Sequence, residues 1–279
     1  MTGNQPGRQA GVPPSGPASD LQQTIGVLDA LELADHTVAV VVYRGTHADV
    51  DGPVRVLSVA PYSDTPEAND AFQQCVRNWR NASSHPNIVT VHDWGDEPRP
   101  WVAVETDDAW EPLSDAAGGL GFEARIGVLA DAAEGLRNFA LYSAAHHDFA
   151  PETVRVADGA DGPRGVVDRW GVERAVRDAT GKPLVTPYTA PEQLDPSLGE
   201  PGKQTDVYAF AAVAYEVLTG EPPVPGQREQ ILEGDIPAPS ERASVPAAVD
   251  DALVPALSTD PADRPDTVHA VAQGLRRAL

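Results

Sequence analysis

The spacing of apolar positions changes near the middle of this chain. From Leu21 to about Val104 they fall in short runs separated by turn-forming residues: the β-branched run Thr37 to Tyr43, a Gly-Thr-His-Ala-Asp-Val-Asp-Gly turn, Pro53 to Val59, and later Trp101 to Glu105. Such runs predict strands of an antiparallel sheet. Within 67–82, however, Phe72, Val76 and Trp79 recur at i, i+4 and i+7, the spacing of one helix face. Helical spacing then takes over, with Ile126, Leu129, Ala133, Leu136 and Ala140 in 122–145 and Phe210, Val213 and Val217 in 206–218. A last helix pair is predicted over 247–257 and 267–279, with Asp266 as N-cap of the second. A small sheet-bearing half with one helix, followed by a larger helical half, is an α+β arrangement of two lobes.

Composition adds boundaries and exclusions. Residues 1–20 carry Pro and Gly clusters and almost no large apolar side chain, so 1–22 is expected to be a disordered leader. Residues 23–279 then form one domain, with lobes at 23–106 and 107–279. Twenty Lys+Arg oppose 42 Asp+Glu, a net charge of −22, and that surface repels a nucleic-acid partner. No apolar run approaches the roughly 20 residues of a membrane span, and no secretory signal is visible. No membrane partner and a cytoplasmic location are therefore expected. The one cysteine, Cys75, gives no disulfide framework and reads as a small buried thiol. The basic residues are 18 Arg and 2 Lys, and Asp outnumbers Glu 26 to 16, a halophile-type acidic composition. In about 1 M salt the screening length is about 3 Å, which removes most of the self-repulsion.

Several motifs stand in order: Ser84-His85-Pro86-Asn87-Ile88-Val89, then Val91-His92-Asp93-Trp94-Gly95; His146-His147-Asp148-Phe149-Ala150-Pro151-Glu152-Thr153-Val154; Thr186 to Glu192, ending Ala-Pro-Glu; Asp206 to Pro223; and Asp260 to Pro265. Together they resemble the eukaryotic-type (Ser/Thr) protein kinase family over about residues 23–279. That resemblance implies a two-lobed protein-kinase-like fold and, in an active member, ATP and magnesium as cofactors.

Phosphoryl transfer needs phosphates and magnesium held in place and a base aligned with the acceptor hydroxyl. The phosphate-facing turn should lie around Leu33 to Val38, yet no glycine occurs between Gly26 and Gly45, and Asp35 adds negative charge. The family's strand lysine falls on Arg55, whose planar fork is not interchangeable with an ammonium. Its glutamate partner falls at or near Cys75, so that ion pair is expected to be absent. In the catalytic loop His146 holds a structural place and Asp148 is retained, either to align the acceptor hydroxyl or to organise loop amides. Ala150, Thr153 and His147 replace the family's lysine, asparagine and arginine. Trp170-Gly171 in the Phe-Gly places puts Arg169 at the magnesium-binding aspartate and Asp168 one residue early. Asp168 serves as a magnesium ligand only if the loop carries a bulge. The resemblance further implies that Glu192 and Arg264 form a buried ion pair and that Asp206 binds the catalytic-loop backbone.

The reading that follows is a degenerate, pseudokinase-like signalling or protein-interaction module with an unidentified protein partner. The competing reading is a divergent serine/threonine kinase using Asp148, Asp168 and Arg55; transfer to a small-molecule acceptor is a third. Thr180 and Thr186 lie where activation sites sit. The helix from Phe72 to Trp79 is a candidate docking surface, unless Trp79 packs between helix and sheet.

Overall fold

A computed structural model describes residues 17–142, 144–160 and 162–279. α1 (Pro17–Thr24) precedes β1 (Leu28–His36), β2 (Val40–His47) and β3 (Pro53–Val59); α2 (Pro66–Ala82), β4 (Val91–Gly95) and β5 (Trp101–Glu105) follow. The five strands form one antiparallel sheet in the order β1-β2-β3-β5-β4. Strand alternation gives it two apolar faces. Val42, Leu57, Val102 and Val104 join Phe72, Val76 and Trp79 of α2 in the main core. Val41, Tyr43, Val54 and Val56 form a second core with Leu21 and Ile25 at α1.

That second core corrects the leader. Residues 1–16 lie outside the described residues, but from Pro17 the chain is helical and Leu21 is wholly buried. Leu21 on α1 and Ile25 just after it, whose N–H donates to the Leu21 carbonyl at 2.8 Å, present a joint apolar side to the sheet. β2 also runs further than expected, because Gly45 and Thr46 continue the ladder opposite Val54 and Pro53. α2 starts where Thr65 Oγ1 accepts the Ala68 N–H at 3.3 Å. Trp79 on α2 is fully buried and donates its indole N–H to the Val89 carbonyl at 2.8 Å, so it packs between helix and sheet.

The second lobe contains β6 (Glu111–Pro112), α3 (Leu113–Ala116), α4 (Phe122–Ala140), β7 (Val154–Gly159), β8 (Gly162–Val167) and α5 (Val172–Ala179). It continues with α6 (Lys203–Thr219), α7 (Arg228–Glu233), α8 (Pro239–Arg242), α9 (Ala247–Ala256) and α10 (Val268–Arg276). α6 is buried on nearly every side, as its apolar composition requires. α10 is capped by Thr267, whose Oγ1 accepts the Ala270 N–H at 3.2 Å, one residue after the expected Asp266. Val167, at the end of β8, accepts from the Val89 N–H and donates to the Asn87 carbonyl, both at 2.9 Å. The Ser84–Val89 turn thus fixes the strand that delivers Asp168 to the cleft. Among the described residues no helix is long and apolar enough to cross a membrane.

Candidate active site

The three residues after Asp168 all have left-handed backbone: Arg169 at φ 62°, Trp170 at 26° and Gly171 at 69°. At Gly171 a side chain would also meet the His146 carbonyl at 2.3 Å. This tight turn supplies the extra residue that lets two side chains face inward together. Asp168 enters the cleft, fully buried, while Trp170 stacks on Phe139 with ring centroids 4.0 Å apart and on His146 at 5.0 Å. Arg169 does not take the aspartate's place, because the turn directs its guanidinium to Asp35, 3.7 Å away.

Asp168 is held by guanidinium groups from both lobes. Arg55 Nη2 on β3 donates to its Oδ2 at 2.6 Å, and Arg155 Nε on β7 donates to the same oxygen at 3.1 Å. Oδ1 accepts the Arg169 backbone N–H at 2.8 Å. These cations hold the carboxyl well below the usual carboxylate range against the opposing effect of burial. Cys75, at or near the place expected for the glutamate partner, packs against the core with its thiol pushed up by burial to about 12.

The catalytic loop is internally bonded. His146 is buried, and Nε2 donates to the Asp168 carbonyl at 3.1 Å while Nδ1 accepts the Asp148 N–H at 3.3 Å. That pattern assigns the neutral tautomer, in keeping with a pKa that burial lowers to about 4. Thr153 Oγ1 donates to the Ala150 carbonyl at 2.8 Å and accepts its N–H at 3.0 Å, so its hydroxyl closes its own turn. Asp148 is half-buried, and burial followed by the nearby Glu173 charge pushes its carboxyl up to about 7. Glu173 belongs to α5, which packs on α2 and carries the i,i+4 pairs Glu173–Arg177 at 2.8 Å and Arg174–Asp178 at 3.3 Å.

Between β1 and β2 the turn is made by Thr37, whose Oγ1 accepts the Ala39 and Val40 amides, each at 3.1 Å. The space between this turn and the α5 side of the cleft, lined by Asp35, Val42, Leu57, Arg169 and Glu173 among others, amounts to about 10 Å³. That is room for roughly one water molecule. Neither cofactor suits these residues. Magnesium at Asp168 would meet two guanidiniums already on Oδ2, and a triphosphate would meet amides already bonded to Thr37.

One carboxylate anchors the loop, and another ties the Ala-Pro-Glu segment to Arg264 before α10. Asp206 accepts the His146 and His147 backbone N–H groups, each at 2.8 Å. Glu192 and Arg264 are buried and joined fork to fork, with both N–H···O distances at 2.9 Å. Arg155 is the site residue that sequence reasoning missed. Its one local signal is a basic side chain between Val154 and Val156 on a short strand.

A family profile described as "Protein tyrosine and serine/threonine kinase" matches residues 37–273. The chain is 28% identical over 216 residues to the serine/threonine-protein kinase PknB of Mycobacterium tuberculosis, which covers 70% of this chain and 34% of that protein. It is 29% identical over 248 residues to PknL of Mycobacterium bovis, covering 84% and 60% respectively. The chain therefore spans about a third of the length of that PknB. The crystal structure of the M. tuberculosis PknI kinase domain matches with a TM-score of 0.70 at 21% identity, over 90% of this chain and 97% of that one, a likeness of fold.

Proposed function

Because the chain belongs to the protein tyrosine and serine/threonine kinase family, we propose that it works as a catalytically silent member, a signalling module that binds a protein partner and transfers no phosphate. The observation that carries this reading is the arginine clamp on Asp168. With Arg55 and Arg155 both on Oδ2, the lone pairs that would bind a divalent cation already hold fixed positive charge, and the clamp bridges β3 and β7 across the cleft. A carboxylate so paired gains little from a metal while both guanidiniums stay in place. The narrow space beneath the Thr37 turn and the engaged Ala39 and Val40 amides support the same reading.

One observation favours the competing serine/threonine kinase. Asp148 keeps a carboxyl pushed up to about 7, a value suited to accepting a proton at neutral pH, and the relatives PknB and PknL are named as serine/threonine kinases. Thermal unfolding separates the two. The silent module should melt at the same temperature with and without magnesium-ATP, at low salt and in molar KCl. Molar salt belongs in the design because the net charge of −22 and the arginine-over-lysine bias fit a salt-adapted chain. A magnesium-dependent rise in melting temperature with micromolar ATP, or phosphate incorporation that Asp148→Ala abolishes, gives the protein to the kinase reading instead.

A further inference from the structure

The turn between β1 and β2 is bonded at each of its carbonyls. Thr37 donates its own N–H to the Val40 carbonyl at 2.8 Å. The carbonyls of Thr37, Val38 and Ala39 all accept from one short segment, residues 60–63, which joins β3 to α2. The Tyr62 hydroxyl donates to the Thr37 carbonyl at 3.2 Å, the Ser63 hydroxyl to that of Val38 at 2.5 Å, and the Ala60 N–H to that of Ala39 at 2.8 Å. This segment is itself fixed, since the Ser63 N–H donates to the Ala60 carbonyl at 2.8 Å and Thr65 caps α2 two residues on. From the other lobe Arg169 reaches Asp35, 3.7 Å away. The turn is thus held down over a space of about 10 Å³ lined in part by Val40, Val42, Leu57 and Val172. Access to the two hydroxyls differs: Ser63 is buried, whereas Tyr62 is 50% exposed. Of the six tyrosines, Tyr43, Tyr208 and Tyr215 are buried, Tyr188 is bound to Glu216, and Tyr142 is exposed just after α4.

We propose that the β1–β2 turn is a lid locked shut by Tyr62 and Ser63, and that Tyr62 is the point at which a separate tyrosine-specific protein kinase unlocks it by phosphorylation. Tyr62 Oη attacks the γ-phosphorus of ATP, and the Oη–P bond forms as the bond to the bridging oxygen breaks. ADP leaves with that electron pair, and the phenol proton passes to a base of the modifying enzyme. The modified oxygen has no proton left to give the Thr37 carbonyl. It also brings about two negative charges to a stretch that already holds Asp35, two residues before Thr37, and Asp64, two after Tyr62. Loss of the donor and like-charge repulsion act in the same direction and lift the turn. Lifting it uncovers the apolar strip of Val42, Leu57 and Val172 to a partner. This proposal rests on the silent-module reading and names the regulation of the same cleft.

The test treats the full chain with magnesium-ATP and a purified tyrosine kinase of broad specificity, maps phosphate by mass spectrometry, and follows backbone hydrogen exchange of the peptide 36–42. A sample without added kinase is the baseline. Phosphate is expected on Tyr62, with exchange in 36–42 faster by about tenfold or more and exchange in α6 unchanged. Tyr62→Phe keeps the ring and removes the donor, so it should quicken 36–42 by about fivefold, the worth of one hydrogen bond. Kinase treatment should not move that variant further, which sets aside modification at Tyr142. No phosphate on Tyr62, phosphate there with unchanged exchange in 36–42, or Tyr62→Phe exchanging as slowly as wild type would overturn the proposal. An equal rise in α6 would overturn it too, by showing general loosening in place of a lifted turn. Magnesium-ATP melting shifts measured without added kinase keep the two readings apart. Unchanged exchange without a shift removes only the lock, and a shift with the expected exchange removes only the silent module.

Discussion

Two buried carboxylates in this protein are held by arginine, and the way each is held differs. Glu192 faces one guanidinium fork to fork, with Thr205 Oγ1 adding a hydrogen bond at 2.8 Å. The same Arg264 also donates to the carbonyls of Ser258 and Gln204, each at 2.8 Å, and of Thr259 at 3.3 Å. One charge answers one charge, and its donors are placed. Asp168 instead takes two guanidiniums on a single oxygen, with Arg169 close by and the Nε atoms of Arg55 and Arg169 buried without an acceptor. Matched charge and full satisfaction mark a pair built for folding. Surplus positive charge with idle donors marks a different arrangement, a carboxylate held between the lobes, and this contrast underlies the proposed reading of the cleft as a latch closed by the arginine clamp.

The largest effect is expected at the matched pair. Arg264→Ala leaves Glu192 buried without its counter-charge and strips three carbonyls of a donor, so it should cost about 3 to 5 kcal/mol. Chemical denaturation of the single variant and of Arg264→Ala/Glu192→Ala checks this. The double variant should recover part of the loss, since no lone charge stays behind. A loss below about 1 kcal/mol would mean that the pair is dispensable and the contrast with Asp168 unfounded.

A third carboxylate, Asp148, provides an intermediate case, because it has neighbouring charges but no ion pair among the described residues. Burial first and Glu173 second raise its pKa to about 7, above its value in the unfolded chain. The folded state therefore binds more protons than the unfolded state from the ordinary carboxylate range up to about pH 7. Stability from this group falls as pH rises through that window and is level above it. Asp148→Asn should match wild type at the acid end and become more stable by on the order of 2 kcal/mol at pH 8. His146, neutral because burial lowers its pKa to about 4, slopes the other way over part of this range, but it is present in both proteins and cancels in the difference. A difference that does not vary with pH would place the Asp148 carboxyl in water.

Much of the scaffold could be read from residue spacing, whereas the latch could not. Phe72, Val76 and Trp79 identified the buried face of α2, and β3 and β5 have the expected ends, because each of these signals is local. β1 escaped notice because two register irregularities against β2 break its alternation. α5 was hidden by its shortness and its charged surface, with Val172 and Val176 as its buried apolar positions. At the site, the sequence identified Asp168 and Arg55 as relevant and made the role of Asp168 conditional on a bulge. It could not supply the bulge, because successive left-handed residues at Arg169 and Trp170 carry no composition signal outside glycine or asparagine. Arg155 acquires its role only once that turn has delivered Asp168 to it, so no motif along β7 could have revealed it.

The smallest effect is expected at this residue and is the sharpest test of the contrast. In Arg155→Leu the Asp168 charge remains answered by Arg55 at 2.6 Å, and leucine replaces the arginine stem in a position already 12% exposed. The stability change should therefore stay within about 1 kcal/mol of zero, unlike Arg264→Ala, because one of two counter-charges is lost instead of the only one. The substitution also frees a lone pair on Oδ2. If the second arginine keeps a divalent cation away, Arg155→Leu should gain a magnesium-dependent rise in melting temperature that wild type lacks. A loss of 3 kcal/mol or more would make Arg155 as structural as Arg264. A small loss with no response to magnesium would leave Arg55 alone as the group that seals the site.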